Sequence, residues 1–207
     1  MEKENQNLPQ ARQLGLVNIV RITPFIEDQK LVEFLKQMHI PQKIAARFTA
    51  QLQCERNGKN FPAIGCRNPT GNWEIIGPAG NGYTGPLSFT HRDSHEPRID
   101  LFNNQLDFLS VQKLQDSKLG PNDSLIVANM DQLMEALPNI KKYAQLNLYF
   151  DHTKQGDALR NCTSLLFSGR AKDFGKMYEK NISFTDYCLE IGNKERRDLA
   201  HKKSKGI

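Results

Sequence analysis

The chain has 207 residues, of which 38% are hydrophobic and 25% charged, and its formal net charge is +5. This composition excludes a disordered chain and allows one compact domain or two small ones packed closely together. The positive charge is compatible with nucleic-acid binding and equally with an ordinary lysine-rich surface.

The cysteines and the N-terminus narrow the class of protein further. Cys54, Cys66, Cys162 and Cys188 form no Cys-x-x-Cys pair, so the sequence contains no zinc-ribbon or redox motif. The N-terminus MEKENQNLPQ is polar, and no apolar run approaches the roughly 18 residues that cross a membrane. We therefore expect a cytoplasmic protein with reduced thiols and no membrane partner.

In chain order, the first half predicts two helices and then antiparallel strands. A flexible lead over residues 1–20 overlaps the start of NIVRITPF (18–25), which fits a short strand or an extended arm. EDQKLVEFLKQM has helical apolar spacing, and IPQKIAARF begins a second helix near its proline. AQLQCERNGKNFPAIGCRN predicts a hairpin around Asn57–Gly58, and TGNWEIIGP adds a third strand. GPAGNGYTGP predicts a glycine-rich loop without the ending of a phosphate-binding loop.

The second half repeats short apolar strands followed by helical patterns. The three repeats are RIDLF with QLDFLSVQKLQ, SLIVANM with DQLMEALPNIKKY, and LNLYF with GDALRNCTSLLF. Such repetition predicts a mainly parallel sheet flanked by helices. A last helix is expected over about 184–191, before a basic tail that we expect to fray.

Together these patterns predict an α/β fold with two parts. Residues 21–95 form a small helical and antiparallel β-meander subdomain, and residues 96–192 form a domain with a mainly parallel sheet. Residues 1–20 and 193–207 are the lead and the basic tail.

Five stretches occur in an order that is typical of one family. They are LVEFLKQMHIPQKIAARF, NGKNFPAIGCRNPTGNWEI, NNQLDFLS at 103–110, YFDHTKQG at 149–156 and YEKNISFTDY at 178–187. Over about residues 20–190 the chain resembles the TOPRIM-containing, primase-like proteins of Bacteroides-type bacterial mobile elements. The resemblance implies a TOPRIM-like fold for residues 96–192 and a role in DNA replication or transfer. The family's zinc-finger module has no counterpart in this sequence.

The resemblance also implies where a TOPRIM metal site would lie. The family places acidic pairs in three motifs that hold Mg²⁺ against phosphate oxygens. In this chain one acid of each pair remains, namely Asp107, Asp151 and Asp186, while Asn103, Thr153 and Ser183 stand at the other positions. Losing three charged ligands predicts a degenerate site with no metal or with weakly bound Mg²⁺ or Mn²⁺.

Two further interpretations of these residues stay open. His152 beside Asp151 fits either an added ligand for a softer ion or an exposed histidine in a turn. Asp107 and Asp151 fit either metal ligands or helix-capping acids.

Basic and aromatic residues supply the candidate contacts to nucleic acid. Phosphate contact needs positive charge and reach, and single-stranded bases stack on exposed rings. The principal basic candidates are Arg67, Lys154, Arg160, Lys172 and Lys176, with Lys43, Arg47, Lys202, Lys203 and Lys205 as further ones. Phe61, Trp73 and Tyr83 fit either base stacking or core packing.

Three functions are therefore compared. The first is a primase-related protein that binds DNA, preferably single-stranded, with lost or weak catalysis. The second is an active primase-type nucleotidyltransferase with a reduced metal site. The third is a non-catalytic partner of replication or mobilisation proteins that makes no contact with nucleic acid. We favour the first, because half-emptied acidic motifs disagree with two-metal chemistry.

Overall fold

The N-terminal half folds into one six-stranded sheet. The computed structural model describes residues 13–115 and 122–204, and side chains as far as residue 194. The strand order is β1-β6-β5-β4-β3-β2, and every pairing is antiparallel except the parallel pairing of β1 with β6. The strands are β1 (Gln13–Leu16), β2 (Asn18–Thr23), β3 (Ala50–Arg56), β4 (Lys59–Arg67), β5 (Trp73–Ile76) and β6 (Asn81–Tyr83).

This sheet curls into a small open barrel whose two end strands meet at one residue. β1 and β2 lie at opposite ends of the strand order, yet only Val17 separates them in the chain. Because consecutive residues are about 3.8 Å apart, the two ends of the sheet must meet at Val17. The Val17 N–H donates to the Tyr83 carbonyl at 2.9 Å, and the buried interior is made by short apolar side chains: Leu14, Val17, Leu52, Cys54, Ala63 and Ile75.

The predicted hairpin is confirmed and has a clear local cause. Asn57 and Gly58 join β3 to β4, and both have positive φ, at 52° and 73°. Two consecutive left-handed residues are the geometry of a type I′ turn, for which Asn-Gly is the preferred pair.

The C-terminal half contains a five-stranded sheet that is parallel except at one end. Its order is β11-β10-β8-β9-β7, and only β7 runs antiparallel to its neighbour. Its strands are β7 (Thr90–Arg92), β8 (Arg98–Phe102), β9 (Asp123–Ile126), β10 (Gln145–Tyr149) and β11 (Ala171–Asp173). The predicted mainly parallel sheet, here named the C-terminal sheet, is therefore confirmed.

Helices cover both faces of the C-terminal sheet. α3 (Gln105–Gln115) and α6 (Phe184–Ser204) pack on one face, and α4 (Met130–Ile140) and α5 (Lys154–Leu166) pack on the other. The alternation along each strand produces these two faces: Leu148 belongs to the cluster of α4 and α5, whereas the next residue, Tyr149, belongs to that of α3 and α6.

One apolar core joins the barrel to the C-terminal sheet. The two predicted N-terminal helices are confirmed as α1 (Gln29–Gln37) and α2 (Gln42–Phe48). Buried residues of these helices and of the barrel strands belong to the same cluster as Phe102 and Phe108 of the C-terminal half. A short 3-10 helix (Gly175–Tyr178) also contributes Tyr178 to this cluster.

Several local predictions are corrected. Residues 13–16, expected in a flexible lead, form β1, whereas NIVRITPF contains β2, the short strand that was one of its two interpretations. The expected glycine-rich loop contains β6. β1 and β6 pair with each other, and this pairing forms both strands although neither segment has a strand pattern in its own sequence. α6 continues to Ser204, beyond the predicted end at 191. β7 pairs with the C-terminal sheet although it falls within the predicted 21–95 subdomain, whose boundary stays a prediction.

In residues 13–115 and 122–204, no helix combines the length and the apolar character that crossing a bilayer requires.

Candidate functional site

The C-terminal ends of the parallel strands bring two of the predicted site positions together. Asn103 follows β8 and Asp151 follows β10, and these two strands are neighbours in the sheet. The side-chain oxygen of Asn103 accepts a hydrogen bond from the Asp151 backbone N–H at 2.9 Å. We name the residues that directly follow β8, β9, β10 and β11 the carboxyl edge. At this edge the Asn103 side chain therefore binds the backbone of Asp151.

Asp151 is bound to the start of α5. Its Oδ1 accepts from the Thr153 hydroxyl at 2.6 Å and from the Thr153 N–H at 3.1 Å. The same hydroxyl accepts from the Gly156 N–H at 3.1 Å, which makes Thr153 the N-cap of the helix. A Cβ on Gly156 would lie 2.2 Å from both the carbonyl oxygen and Oδ1 of Asp151. Thr153 and Gly156 therefore hold Asp151 in a compact helix-start structure.

Asp107 is buried, and its hydrogen bonds link α3 to α6. Its side chain has no exposed surface, and its Oδ1 accepts from the Thr185 N–H at 2.8 Å and the Thr185 hydroxyl at 2.7 Å. Its Oδ2 accepts from the Asn104 amide at 2.9 Å. Burial raises the pKa of the Asp107 carboxyl to about 6, against these hydrogen bonds, which lower it. Both oxygens are thus occupied by protein donors.

Asp186 and Ser183 form the start of α6. The Ser183 hydroxyl donates to Asp186 Oδ2 at 2.9 Å, and the Asp186 N–H donates to the Ser183 hydroxyl oxygen at 3.2 Å. A serine followed three residues later by an acid is a common way to satisfy the first amides of a helix. At this motif both side chains therefore serve the local helix.

The three acids do not fit a shared Mg²⁺ site. Mg²⁺ requires several hard oxygen ligands in near-octahedral geometry. Among the described residues, Asp107, Asp151 and Asp186 do not bring ligand atoms within 4.8 Å of one another, and the oxygens of Asp107 are held inside the protein. We therefore assign no chemical step to a metal ion at the carboxyl edge.

His152 and Arg160 are held by the carboxyl edge itself. His152 Nε2 lies 3.1 Å from the Gly175 carbonyl oxygen, and since a carbonyl only accepts, this nitrogen carries the proton. Arg160 is only 8% exposed. Its guanidinium donates to the Phe150 and Asp151 carbonyls and to Asp157, and its Nε lies 3.3 Å from Asp173 Oδ1.

These placements bear on two predicted roles. The Nε2 atom of His152 is committed to a carbonyl, which does not favour the predicted metal-ligand role through that nitrogen. The predicted phosphate contact by Arg160 is not supported either. Its charge is already used to bind two carboxylates and two carbonyl oxygens within the fold.

The other basic candidates lie on the surface. Arg67, Lys154, Lys172 and Lys176 are exposed, and the Lys172 ammonium lies 4.8 Å from the centre of the Phe174 ring. Lys43 and Arg47 are exposed on α2, whereas the side chains of Lys202, Lys203 and Lys205 lie outside the described residues.

The aromatic candidates follow the core-packing interpretation in part. Phe61 and Trp73 are half-buried and pack against the barrel interior, which favours a structural role over base stacking. Tyr83 is half-buried at the end of β6.

A second polar cluster, which sequence reasoning missed, lies at the opposite edge of the C-terminal sheet. His91 Nε2 lies 3.0 Å from the Tyr143 hydroxyl, which is 2.6 Å from Asp123 Oδ2, and Lys142 binds the nearby Asp93. The buried Asp123 carboxylate takes the single hydroxyl proton of Tyr143, so His91 Nε2 must donate to the tyrosine oxygen. No motif spacing signals this cluster, because its members are scattered from 91 to 143.

Three residues of this cluster are of the types that bind metal ions. Ligand atoms of His91, Asp93 and Asp123 lie within 4.8 Å of one another. However, the Tyr143 hydroxyl already bridges the imidazole and Asp123, and the Lys142 ammonium already binds Asp93. The cluster is therefore a closed hydrogen-bond network, and burial lowers the pKa of His91, which favours its neutral form.

Comparison with known proteins identifies the fold. A family described as a domain of unknown function, DUF8464, matches residues 19–84, less than half of the chain, and no curated protein sequence matches. The primase fragment of the bacteriophage T7 primase-helicase protein is similar with a TM-score of 0.57 and 14% identity, over 92% of this chain and 82% of that one.

A second solved structure carries primase domains. It is the bacteriophage T7 lagging-strand DNA polymerase interacting with primase domains of two gp4 subunits bound to an RNA/DNA hybrid and dTTP. The TM-score is 0.48 and the identity 17%, over 68% of this chain and 77% of that one. The similarity to the T7 primase fragment confirms the predicted TOPRIM-like α/β fold class.

Proposed function

We propose that this primase-fold protein binds single-stranded DNA during the replication or transfer of a mobile element, and that it does so with little or no catalysis. The observation that carries the proposal is the occupation of the acidic positions by internal hydrogen bonds. Thr185 and Asn104 donate hydrogen bonds to the Asp107 carboxylate, and Thr153 donates to Asp151 Oδ1. The mobile-element context rests on the resemblance of the sequence motifs.

The loss of catalysis follows from the energetics of these contacts. A Mg²⁺ ion at Asp107 would have to displace three hydrogen bonds from a fully buried carboxylate. Each lost bond would leave a buried donor without an acceptor, at a cost of about 1–3 kcal/mol. The remaining acids do not compensate for this cost, since Asp107, Asp151 and Asp186 do not come together as a group of three ligands among the described residues.

Binding of DNA is supported by the surface charge. The chain carries a net charge of +5, and Lys154 and Lys176 are exposed close to the ends of β10 and β11. Phosphate contacts by such residues give an affinity that falls steeply with salt concentration.

Primer synthesis tests the catalytic part of the proposal. The intact protein is incubated with single-stranded DNA and ribonucleotides, once with Mg²⁺ and once with Mn²⁺. We expect no oligoribonucleotide product above background. Robust synthesis that Asp151→Ala abolishes would overturn the proposal and establish the alternative, an active primase with a reduced metal site.

Salt-dependent binding tests the nucleic-acid part. We expect a labelled single-stranded oligonucleotide to bind at 50 mM salt, with an affinity that falls about linearly in log–log form as salt rises. Lys154→Gln should lower that slope by about one, whereas Arg21→Gln, on the outside of the barrel, serves as the matched charge control. No binding at 50 mM salt would favour the non-catalytic partner of replication or mobilisation proteins.

A further inference from the structure

Three aromatic rings form a stack across neighbouring strands of the C-terminal sheet. Phe102 ends β8, Tyr149 ends β10, and Phe174 directly follows β11. The ring centroids of Phe102 and Tyr149 are 5.4 Å apart, with an angle of 14° between the ring planes. Those of Tyr149 and Phe174 are 4.8 Å apart, with an angle of 15°. The three rings are therefore nearly parallel, and the stack runs across the sheet toward β11.

The last ring of this stack is the one that reaches the surface. Phe102 and Tyr149 are buried, whereas Phe174 is partly exposed. β11 is the end strand of the C-terminal sheet, and no described strand lies beyond it. The Phe174 N–H donates to the Leu148 carbonyl at 3.0 Å, and the Phe174 carbonyl accepts from the Met177 N–H at 3.0 Å. The backbone thus fixes the position of this ring at the end of the sheet.

A lysine covers the outer face of the Phe174 ring. Tyr149 stacks on one face of this ring, and the Lys172 ammonium lies over the ring, 4.8 Å from its centroid. The ammonium must therefore lie on the face that Tyr149 leaves open. Lys172 is exposed, and a cation–π contact at an exposed site is weak. A second flat ring can therefore take the place of this ammonium at little cost.

The charges next to the ring are mainly positive. Lys172 and Lys176 are exposed on either side of Phe174 in the chain, and among the described residues neither forms an ion pair with a carboxylate. The acid between them, Asp173, is already engaged, because its Oδ1 lies 3.3 Å from Arg160 Nε. Two lysine charges are therefore available to phosphate groups beside the ring.

Other charges in this region change the balance little. Glu179 and Lys180, both exposed just after the short 3-10 helix, cancel each other. Asp100, two strands away in the sheet, is buried and bound by three amide side chains. Burial also raises the pKa of Asp100, which favours its neutral form. The exposed surface around Phe174 therefore keeps its positive charge.

We propose that the outer face of Phe174 stacks a base of single-stranded DNA, while Lys172 moves from the ring to an adjacent phosphate and Lys176 binds a second one. We name these three residues the Phe174 platform. Aromatic rings beside basic residues are the usual means of holding single strands, and every base has a flat face, so the contact is indifferent to sequence. The inference rests on the proposed function and specifies the surface that binds the strand.

The test compares two labelled oligonucleotides of equal length, oligo-dT and an oligomer of abasic sites, in binding to the full chain. Both carry the same phosphates, so the ratio of their affinities isolates the contribution of the bases. We expect Phe174→Leu to lower this ratio about tenfold, because leucine is apolar but has no flat face. Phe174→Tyr should preserve the ratio. Phe25→Leu, at a phenylalanine that is 66% exposed in the N-terminal half, is the matched control and should also preserve it.

Two further measurements separate stacking from charge. Lys172→Gln should lower the slope of log affinity against log salt concentration by about one, whereas Phe174→Leu should leave this slope unchanged. Phe174→Trp places an indole on the platform. We expect oligo-dT to quench its fluorescence beyond any change seen for Trp73 in the unaltered chain, and the abasic oligomer to leave it unquenched.

Each outcome decides a different point. A ratio that Phe174→Leu leaves unchanged, in a variant whose urea denaturation shows it to be folded, overturns the platform while DNA binding stands. If Phe174→Leu does not fold, the indole decides, and absence of quenching by bound oligo-dT overturns the platform. If the unaltered chain binds neither oligonucleotide at 50 mM salt, the proposed function fails and the platform with it.

Discussion

At the scale of single residues, the degree of burial distinguishes the roles of two side chains for which the sequence predicts the same function. Lys154 and Arg160 both follow Asp151 and were both predicted as contacts to phosphate. Lys154 is exposed, whereas Arg160 is 8% exposed and binds carbonyls and carboxylates around the end of β10. One residue is suited to an external phosphate, and the other stabilises the fold.

This contrast predicts opposite effects of two substitutions. Arg160→Met should lower the free energy of unfolding by about 1–3 kcal/mol, because the buried Phe150 carbonyl loses its charged donor. Lys154→Gln should change stability by less than about 0.5 kcal/mol and should weaken DNA binding. Urea denaturation and the salt-dependent binding of the labelled oligonucleotide measure the two effects. A stable Arg160→Met variant with selectively weakened DNA binding would restore the predicted phosphate contact.

Asp107 predicts a pH dependence of stability. Its folded pKa of about 6 lies above the unfolded value of about 4, so the folded protein binds the proton more tightly. Its contribution to stability is complete below about pH 4 and is lost as pH rises to about 6, by up to about 1.4 kcal/mol per pH unit.

Asp107→Asn should flatten the pH dependence that Asp107 causes. Urea denaturation of both proteins between pH 4.5 and 7.5 measures how the free energy of unfolding changes with pH in each. The raised pKa values of Glu74 and Asp100 affect both proteins in the same way, so they cancel in the difference between the two slopes. Identical slopes in the two proteins would contradict a buried Asp107.

At the scale of elements, the start of α5 shows why a glycine stands four residues after His152. A Cβ at Gly156 would lie 2.2 Å from two oxygens of Asp151, so the helix can begin this close to β10 only with glycine. Glycine inside a helix normally costs about 1 kcal/mol relative to alanine, and this close approach outweighs that cost.

Gly156→Ala should therefore be destabilising, although alanine is the better helix former. We expect a loss of more than about 2 kcal/mol in the free energy of unfolding, because the clash involves backbone that cannot move aside. Ala158→Gly, on the exposed face of the same helix, serves as a control and should cost about 1 kcal/mol. Thermal or urea unfolding measures both, and a stabilised Gly156→Ala would refute the packing described here.

The elements with strong local patterns were predictable, and those formed by distant pairing were not. The Asn57–Gly58 hairpin, α1 and the three strand-helix repeats follow from periodicity and turn chemistry. β1 and β6 were missed because a three- or four-residue strand is stabilised mainly by its partner.

The same distinction applies to the candidate site. The sequence indicated Asp107 and Asp151, but not that Thr185 and Thr153 would occupy their oxygens. The pairing of Asp107 with Thr185 joins residues that are 78 positions apart, so only the fold could reveal it.

At the scale of the whole molecule, the two sheets share one core. The cluster that contains Ile64 and Ile76 of the barrel also contains Phe102, Ile126 and Tyr149 of the C-terminal sheet. Unfolding either sheet alone would therefore expose apolar surface that the other sheet covers.

This shared core predicts a single unfolding transition. Trp73, the one tryptophan of the chain, reports on the barrel, while far-UV circular dichroism reports mainly on the helices around the C-terminal sheet. We expect the urea midpoints from tryptophan fluorescence and from circular dichroism to coincide. Separate midpoints would instead indicate that the parts predicted at 21–95 and 96–192 unfold independently.

The closure of the barrel at Val17 has a consequence for the order of folding on the ribosome. Among the described strands β1 pairs with β6 alone, so it has no partner there until Asn81–Tyr83 has been synthesised. The β3–β4 hairpin, by contrast, joins neighbouring strands across a two-residue turn. Because closing so short a loop costs little entropy, we expect this hairpin to form first. β1 leaves the ribosome before the other barrel strands but is among the last of them to pair, and the nascent chain must keep Leu14 and Val17 from other apolar partners until then.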